Sequence, residues 1–452
     1  MPKFNELISS ISYLLSWRGT YLFIFFLFCL FFIERLLENR KFDIGKIIIV
    51  FFLTTFFIIL ISQLFSSTKN TIFFNGDTFA DGLKVIYSYE HVFSKEELKI
   101  LNRAYSEINP YSEVLSESTG GQYNVHVLPV PSVFYHVTAY LIKFLNIKHP
   151  YFIFINFIFY LVIVFNNYKF CKSNFTVNIA SFFLLISLAS FPAIYMFQRG
   201  HFSSAYTAQF LITSFLYFLK YKQLKFKHFL FIAIALNFRP NYLFLLPIFI
   251  NYKTIRYSIV ELSKHLLMFL SVGTISFLSV RSVYKNYTIE NILLALDRYK
   301  EWHLRQGDGF ESSLYRVFQQ MFDPFNSYPY LIYNFFLVAA LTIIVLSFFK
   351  QIEYKMYFLL YSIFLWSPFS DYHLLILTIP IIYHLVHEDS FEKNTTILLF
   401  YLLIILPKPH FLNSEKLFID SSYIPLSISN YFNASIFIYL IFNRKLMQET
   451  KH

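Results

Sequence analysis

Apolar runs of about 20 residues, the length that crosses a bilayer as a helix, recur along the whole chain. They fall at 20–34, 46–65, 150–166, 177–197, 203–219, 258–280, 331–349, 356–369, 372–386, 395–406 and 423–442. The predicted fold is an all-α polytopic membrane protein, a bundle of about 11 to 13 transmembrane helices with outer-face loops and amphipathic helices. No heptad run, fixed-period repeat or Gly/Ser linker divides it, so residues 1–452 read as one domain. The first apolar run is followed by Glu34-Arg35 and Asn39-Arg40-Lys41 without a small-residue cleavage site, and reads as a span rather than a signal peptide.

The stretch 228–251 admits two readings, one helix or two short ones broken at Asn237-Phe238-Arg239-Pro240-Asn241. Proline lacks an N–H and disfavours helix in the residue before it. An arginine in mid-bilayer costs at least about 3 kcal/mol on insertion scales. Both favour the break, with Arg239 near an aqueous surface. Loop charge agrees. With the break, Arg35–Lys46, Lys169–Lys172, Lys220–Lys227, Lys253–Arg256, Lys350–Lys355 and the tail Arg444–Lys451 fall on one side, which the positive-inside rule makes cytoplasmic. This topology also requires 127–145, with Pro129, Pro131, His136 and Lys143, to lie on the outer surface.

Two hydrophilic segments then face outward, 67–149 and 281–330, and they hold about half of all acidic residues. Charged residues make up 14% of the chain, against roughly 25% in soluble proteins, which excludes an ordinary soluble domain. The net charge of +11 does not signal nucleic acid, because the basic residues sit in short loops between apolar runs. Cys29 and Cys171 are too few and too far apart for a disulfide framework or a metal site.

Five constellations carry candidate chemistry. Asn75-Gly76-Asp77-Thr78-Phe79-Ala80-Asp81-Gly82 places two acids on one face of a helix, where one suits a general base; Asp77 or Thr78 equally suits a helix cap. Asn109-Pro110-Tyr111 and the run Tyr123-Asn124-Val125-His126 to Pro131 read as a turn leading to an interfacial helix, with Tyr111 and His126 as polar contacts. Arg199 and His201, in Gln198-Arg199-Gly200-His201, lie at the outer end of a span, where cations commonly snorkel. Arg239 stands inside an apolar stretch, and ionisable groups there usually serve function. Ser367-Pro368-Phe369-Ser370-Asp371-Tyr372-His373 is a polar turn between apolar runs. Together they bring acids and cations to one membrane face, which suits an anionic lipid phosphate and a sugar hydroxyl that must lose a proton.

The order of these pieces resembles the GT-C superfamily of membrane glycosyltransferases, most closely glycosyltransferase family 87 and its polyprenyl-phosphate mannosyltransferase relatives. The matching pieces are Asp77, Asn109-Pro110-Tyr111, Tyr123 through Pro131, Arg199-Gly200-His201, Arg239-Pro240, and Ser367-Pro368 with His373. The likeness covers roughly residues 70 to 385 and departs in three places. Arg239 replaces a lysine, His201 replaces Gln or Asn, and the Tyr-Pro-Pro run is loosened. An extra helix before the first large loop puts the N-terminus outside.

The resemblance implies a GT-C-like bundle and an inverting transfer from a polyprenyl-phosphate-linked sugar to a glycan or glycolipid acceptor. Asp77, or else Asp81, would be the base in the catalytic first outer loop. Arg199, His201, Arg239, Tyr111, His126, Asp371 and His373 would bind substrate. It implies no nucleotide site, no cofactor and no nucleic-acid partner; a divalent metal stays open. It also implies cell-envelope polysaccharide work in a bacterial inner membrane, multi-pass, with the active site on the outer face. The competing classes are a polysaccharide polymerase or ligase, a lipid-glycan flippase or transporter, which would more often show repeats and midplane charges, and a non-catalytic scaffold.

Overall fold

The computed structural model describes residues 128–145, 149–190, 202–251, 254–283, 314–322, 328–348 and 371–386, with scattered positions within 24–53, 192–196, 287–296, 402–405 and 432–439. Of these residues 92% are helical and none is in a strand, which fits an all-α membrane protein. The span expected at 356–369, most of those at 20–34, 46–65, 395–406 and 423–442, and most of both outer loops lie outside the described residues.

The helices in chain order are α1 (Pro129–Phe144), α2 (His149–Asn174), α3 (Val177–Ala189), α4 (Phe202–Tyr221) and α5 (Phe226–Phe238). A 3-10 segment, Pro240–Phe249, follows; then come α6 (Ile255–Val283), α7 (Leu314–Phe322) and α8 (Pro329–Phe348). A second 3-10 segment, Asp371–Leu377, runs into α9 (Thr378–Val386). Among the described residues three stretches are long and apolar enough to cross a membrane: Phe154–Asn174, Ile255–Ser282 and Tyr330–Phe348. Their outward faces are those of lipid-facing helices, with Leu267, Leu270, Ile275, Leu331 and Phe335 each more than 60% exposed. In water such faces would cost about 25 cal/mol per Å2 of apolar surface. The second 3-10 segment and α9 are the opposite case: every residue from Leu374 to Leu385 is buried, as expected of a helix apolar on all sides.

The segment 228–251 takes the broken form, and the break is sharper than two short α-helices. Arg239 ends α5 with φ −140° and ψ 86°, outside the helical region, which a following proline disfavours. Pro240 then opens ten residues of 3-10 helix. Runs of that geometry beyond about four residues are uncommon. Thirteen residues of α-helix rise about 20 Å, and ten residues of 3-10 helix descend about 20 Å. The two arms match in length, and neither covers the ~30 Å hydrocarbon core. α5 and the first 3-10 segment therefore form a hairpin with Arg239 at its tip.

Neighbours fix the orientation of this hairpin. α4 and α5 are antiparallel, since Ser204 meets Arg239, Phe210 stacks on Phe231, and Ser214 Oγ donates to the His228 carbonyl. α5 and α6 run parallel: Phe229 lies against His265, and Asn237 Nδ2 donates to the Phe269 carbonyl at 3.0 Å. Parallel packing requires the chain to return between them, and the 3-10 arm provides that return. Asn237 Nδ2 also donates to the Ala233 carbonyl at 2.9 Å.

Gly273 makes this contact possible. A Cβ there would stand 2.9 Å from Asn237 Oδ1, and the two hydrogen bonds on Nδ2 leave that amide little room to yield. Gly273→Ala is expected to destabilise the fold by about 1–2 kcal/mol, despite a helix-propensity gain of up to ~1 kcal/mol. In an Asn237→Ala background the same change should be neutral or stabilising. Thermal unfolding of the four proteins in one detergent checks this. Additive effects would remove the contact as the cause.

α2, α3 and α4 are joined by a buried polar network. Tyr160 Oη donates to the Ser187 carbonyl at 2.7 Å; Gln209 Nε2 donates to Tyr160 Oη at 3.2 Å; Asn167 Nδ2 donates to Gln209 Oε1 at 3.2 Å. Hydrogen bonds between helices in a membrane contribute about 0.6–2 kcal/mol each. The expected span 177–197 is shorter as a helix: α3 stops at Ala189, and Ser190 turns extended with ψ 153°. The expected outer-surface stretch 127–145 is α1, whose N-terminal half packs on the hairpin through Phe134 against Phe238. At the far end of α4, Lys222 adopts a left-handed φ of 55° while its N–H donates to the Phe218 carbonyl. Holding a side-chain residue in that region costs roughly 1–2 kcal/mol relative to glycine.

Candidate functional site

Of the nine predicted site residues, Arg239 alone is described with its side chain. Asp77, Asp81, Tyr111, His126, Arg199 and His201 lie outside the described residues. The backbone of Asp371 and His373 opens the second 3-10 segment, which packs against α4, the helix that also meets Arg239.

The Arg239 side chain is half-buried, and its Nη2 donates to Ser204 Oγ at 2.9 Å. Ser204 sits in the first turn of α4 and is almost fully buried, as is Ser203. The site has an aromatic wall. Phe134 of α1 meets Phe238 at 5.5 Å and Tyr206 at 6.0 Å, both edge-on. Tyr206 Oη is bound to Asn156 of α2, at 2.8 Å from Oδ1 and 3.0 Å from the carbonyl. α1, α2 and α4 thus converge on the hairpin tip through Phe134, Asn156, Ser204 and Tyr206.

The depth of the tip follows from its contact with α6. Gly273, level with Asn237, stands ten residues before Val283, which puts Asn237 about 15 Å short of the helix end. Two further residues of chain recover at most about 7 Å. The Arg239 backbone therefore lies about 8 Å or more below the end of α6. The hairpin stops beneath the end of its neighbour, because its arms are shorter than α6.

The surroundings favour an anion. α4 has no acid in its first turn, and a helix start carries about half a positive charge. A guanidinium held at that end adds a full charge with donors in a fixed fork. This arrangement can orient and neutralise a phosphate; among the described residues it holds no base. Among the described residues no group of three or more His, Cys, Asp or Glu could hold a metal.

Sequence reasoning missed Ser204, Asn156, Tyr206 and the Gln209 network. A signal was present: Asn156, Asn167 and Gln209 interrupt otherwise apolar runs, and polar side chains inside spans are usually partnered. No protein-family model, curated protein or solved structure matches the chain.

Proposed function

We propose that the protein is a multi-pass membrane glycosyltransferase that moves a sugar from a polyprenyl-phosphate donor to a glycan or glycolipid acceptor, at the outer face of a bacterial inner membrane. The observation that carries the reading is Arg239, clamped by Ser204 at the tip of a half-length hairpin beneath the end of α6. A lipid-linked phosphate lies at the headgroup level, within reach of a cation recessed by several ångströms. In the proposed reaction Asp77 takes the proton of the acceptor hydroxyl, with Asp81 as the alternative base. The hydroxyl oxygen attacks the anomeric carbon, and the bond from that carbon to the phosphate oxygen breaks. The lipid phosphate leaves with the electron pair, and Arg239, with Arg199 and His201, stabilises its charge. Tyr111, His126, Asp371 and His373 contact the sugars in this reading.

The test is an assay of the purified full-length chain with a panel of polyprenyl-phosphate sugars. Transfer from one of them supports the reading. Absence of transfer from all, with donor binding indifferent to Arg239, overturns it. A hairpin of two half-spans also suits a lipid-glycan flippase, since broken helices often build transporter sites. Movement of a labelled lipid across the bilayer with its sugar bond intact would favour that alternative.

The orientation has its own check. The 220–228 loop is expected in the cytoplasm and 281–330 outside. With Cys29 and Cys171 replaced by serine, Gln223→Cys should resist an impermeant thiol reagent in intact cells, and Ser312→Cys should react. Labelling of Gln223→Cys from outside would invert the whole scheme.

A further inference from the structure

At the end of the bundle opposite Arg239, two turns meet. One joins α2 to α3 and the other joins α4 to α5. Lys220 Nζ donates to the Asn174 carbonyl at 3.4 Å across them. An aromatic cluster locks them together, with Phe170 of α2 against Phe175, Tyr217 and Tyr221. Tyr217 in turn stacks on His228 with ring centroids 4.0 Å apart. His228 Nδ1 accepts from the Lys225 N–H at 3.3 Å, and the His228 N–H donates to the Lys225 carbonyl, so the second turn is pinned at its exit.

Six lysines ring this closed double turn: Lys169, Lys172, Lys220, Lys222, Lys225 and Lys227, all exposed. Lys169 Nζ lies over the Phe165 ring at 4.7 Å and Lys225 Nζ over the Tyr217 ring at 5.6 Å, cation–π contacts that hold both ammonium groups beside aromatic surface. Exposed Phe226 and Tyr221 rim the same end. The two turns carry no acid of their own, since no Asp or Glu occurs between Glu117 and Glu261. His228 adds no charge: burial first, then Lys227 and Lys225, hold its imidazole down at about 4.

Lys222 separates a charge role from a folding role. Its left-handed backbone is one that glycine adopts without cost. A residue selected for the turn alone would be glycine, whereas the chain carries a lysine there.

We propose that this double turn is a binding surface for anionic phospholipid headgroups. The lysines engage the phosphate, and Phe226 and Tyr221 sit at the level of the acyl boundary. Basic clusters beside a membrane helix attract acidic lipids in this way, and aromatic residues favour that level. The inference rests on the membrane reading of the fold and is independent of sugar transfer.

The test uses the full-length protein in a neutral detergent, titrated with phosphatidylglycerol or phosphatidylcholine and read by native mass spectrometry. The wild type is expected to prefer phosphatidylglycerol, less so as salt rises. Each lysine removed should lower that preference about 5-fold, so Lys222→Gln with Lys225→Gln and Lys227→Gln should lower it about 100-fold. Arg281→Gln, at the far end of α6, should leave it unchanged. Lys222→Gly should raise thermal stability in the detergent while weakening the phosphatidylglycerol preference, a pairing that a purely structural lysine does not give. Equal binding of both lipids by the wild type, an equal loss in Arg281→Gln, or displacement of phosphatidylglycerol by millimolar inorganic phosphate would each overturn the proposal.

Discussion

Asp77→Asn is expected to lower the turnover of sugar transfer by about 100-fold or more, the usual scale for loss of a general base. The substitution keeps size and hydrogen bonding and removes proton acceptance. Donor binding should be nearly unchanged, because the base acts on the acceptor. Asp81→Asn should be milder, since Asp77 is nearer the second apolar run. The check is single-turnover transfer at saturating donor, paired with a donor-binding titration. A larger loss in Asp81→Asn would exchange the roles. Full turnover in both variants would remove the proposed base from the mechanism.

Arg239→Ala should weaken donor binding by about 10- to 150-fold, corresponding to the ~1.5–3 kcal/mol of a hydrogen bond to a charged group. Affinity for the acceptor should hold. Arg239→Lys should fall between, because an ammonium is a point charge and cannot grip two phosphate oxygens at once. Ser204→Ala removes the acceptor that steadies the guanidinium; a loss of one neutral partner, about 1 kcal/mol, gives about 5-fold. Ser204→Thr should restore it. Calorimetric titration of each folded variant with donor alone measures these effects. Unchanged affinity in a folded Arg239→Ala protein would end the phosphate assignment.

The hairpin shows what was legible in the sequence. Pro240 sets a local constraint that no packing can override: it removes an N–H and disfavours helix at Arg239. The break is therefore readable from five residues. The form of the descending arm was not, because 242–250 is apolar almost throughout and periodicity cannot separate helix types in such a run. Depth was illegible for a related reason. It depends on Asn237 meeting Gly273, and one glycine in a long apolar helix carries no sign of its partner. The Arg239–Ser204 pair joins positions 35 residues apart. Nothing in the sequence marks Ser203 and Ser204, since serine is tolerated wherever its hydroxyl can reach its own helix backbone. Asp77 and Asp81 lie outside the described residues.

The matched arms of the hairpin also bear on how this chain can vary. Removing one residue from α5 would lower the tip by ~1.5 Å and turn it by about 100°. Removing one from the 3-10 arm would change its reach by ~2.0 Å and shift the register by about 120°. Either change carries the guanidinium off Ser204, whatever residues remain. Many lipid-facing positions of α6 and α8 can exchange one apolar side chain for another with little consequence. Natural variants of this chain should therefore be permissive in spelling there and strict in letter count between Phe226 and Phe249, where a deletion is a heavier change than most substitutions.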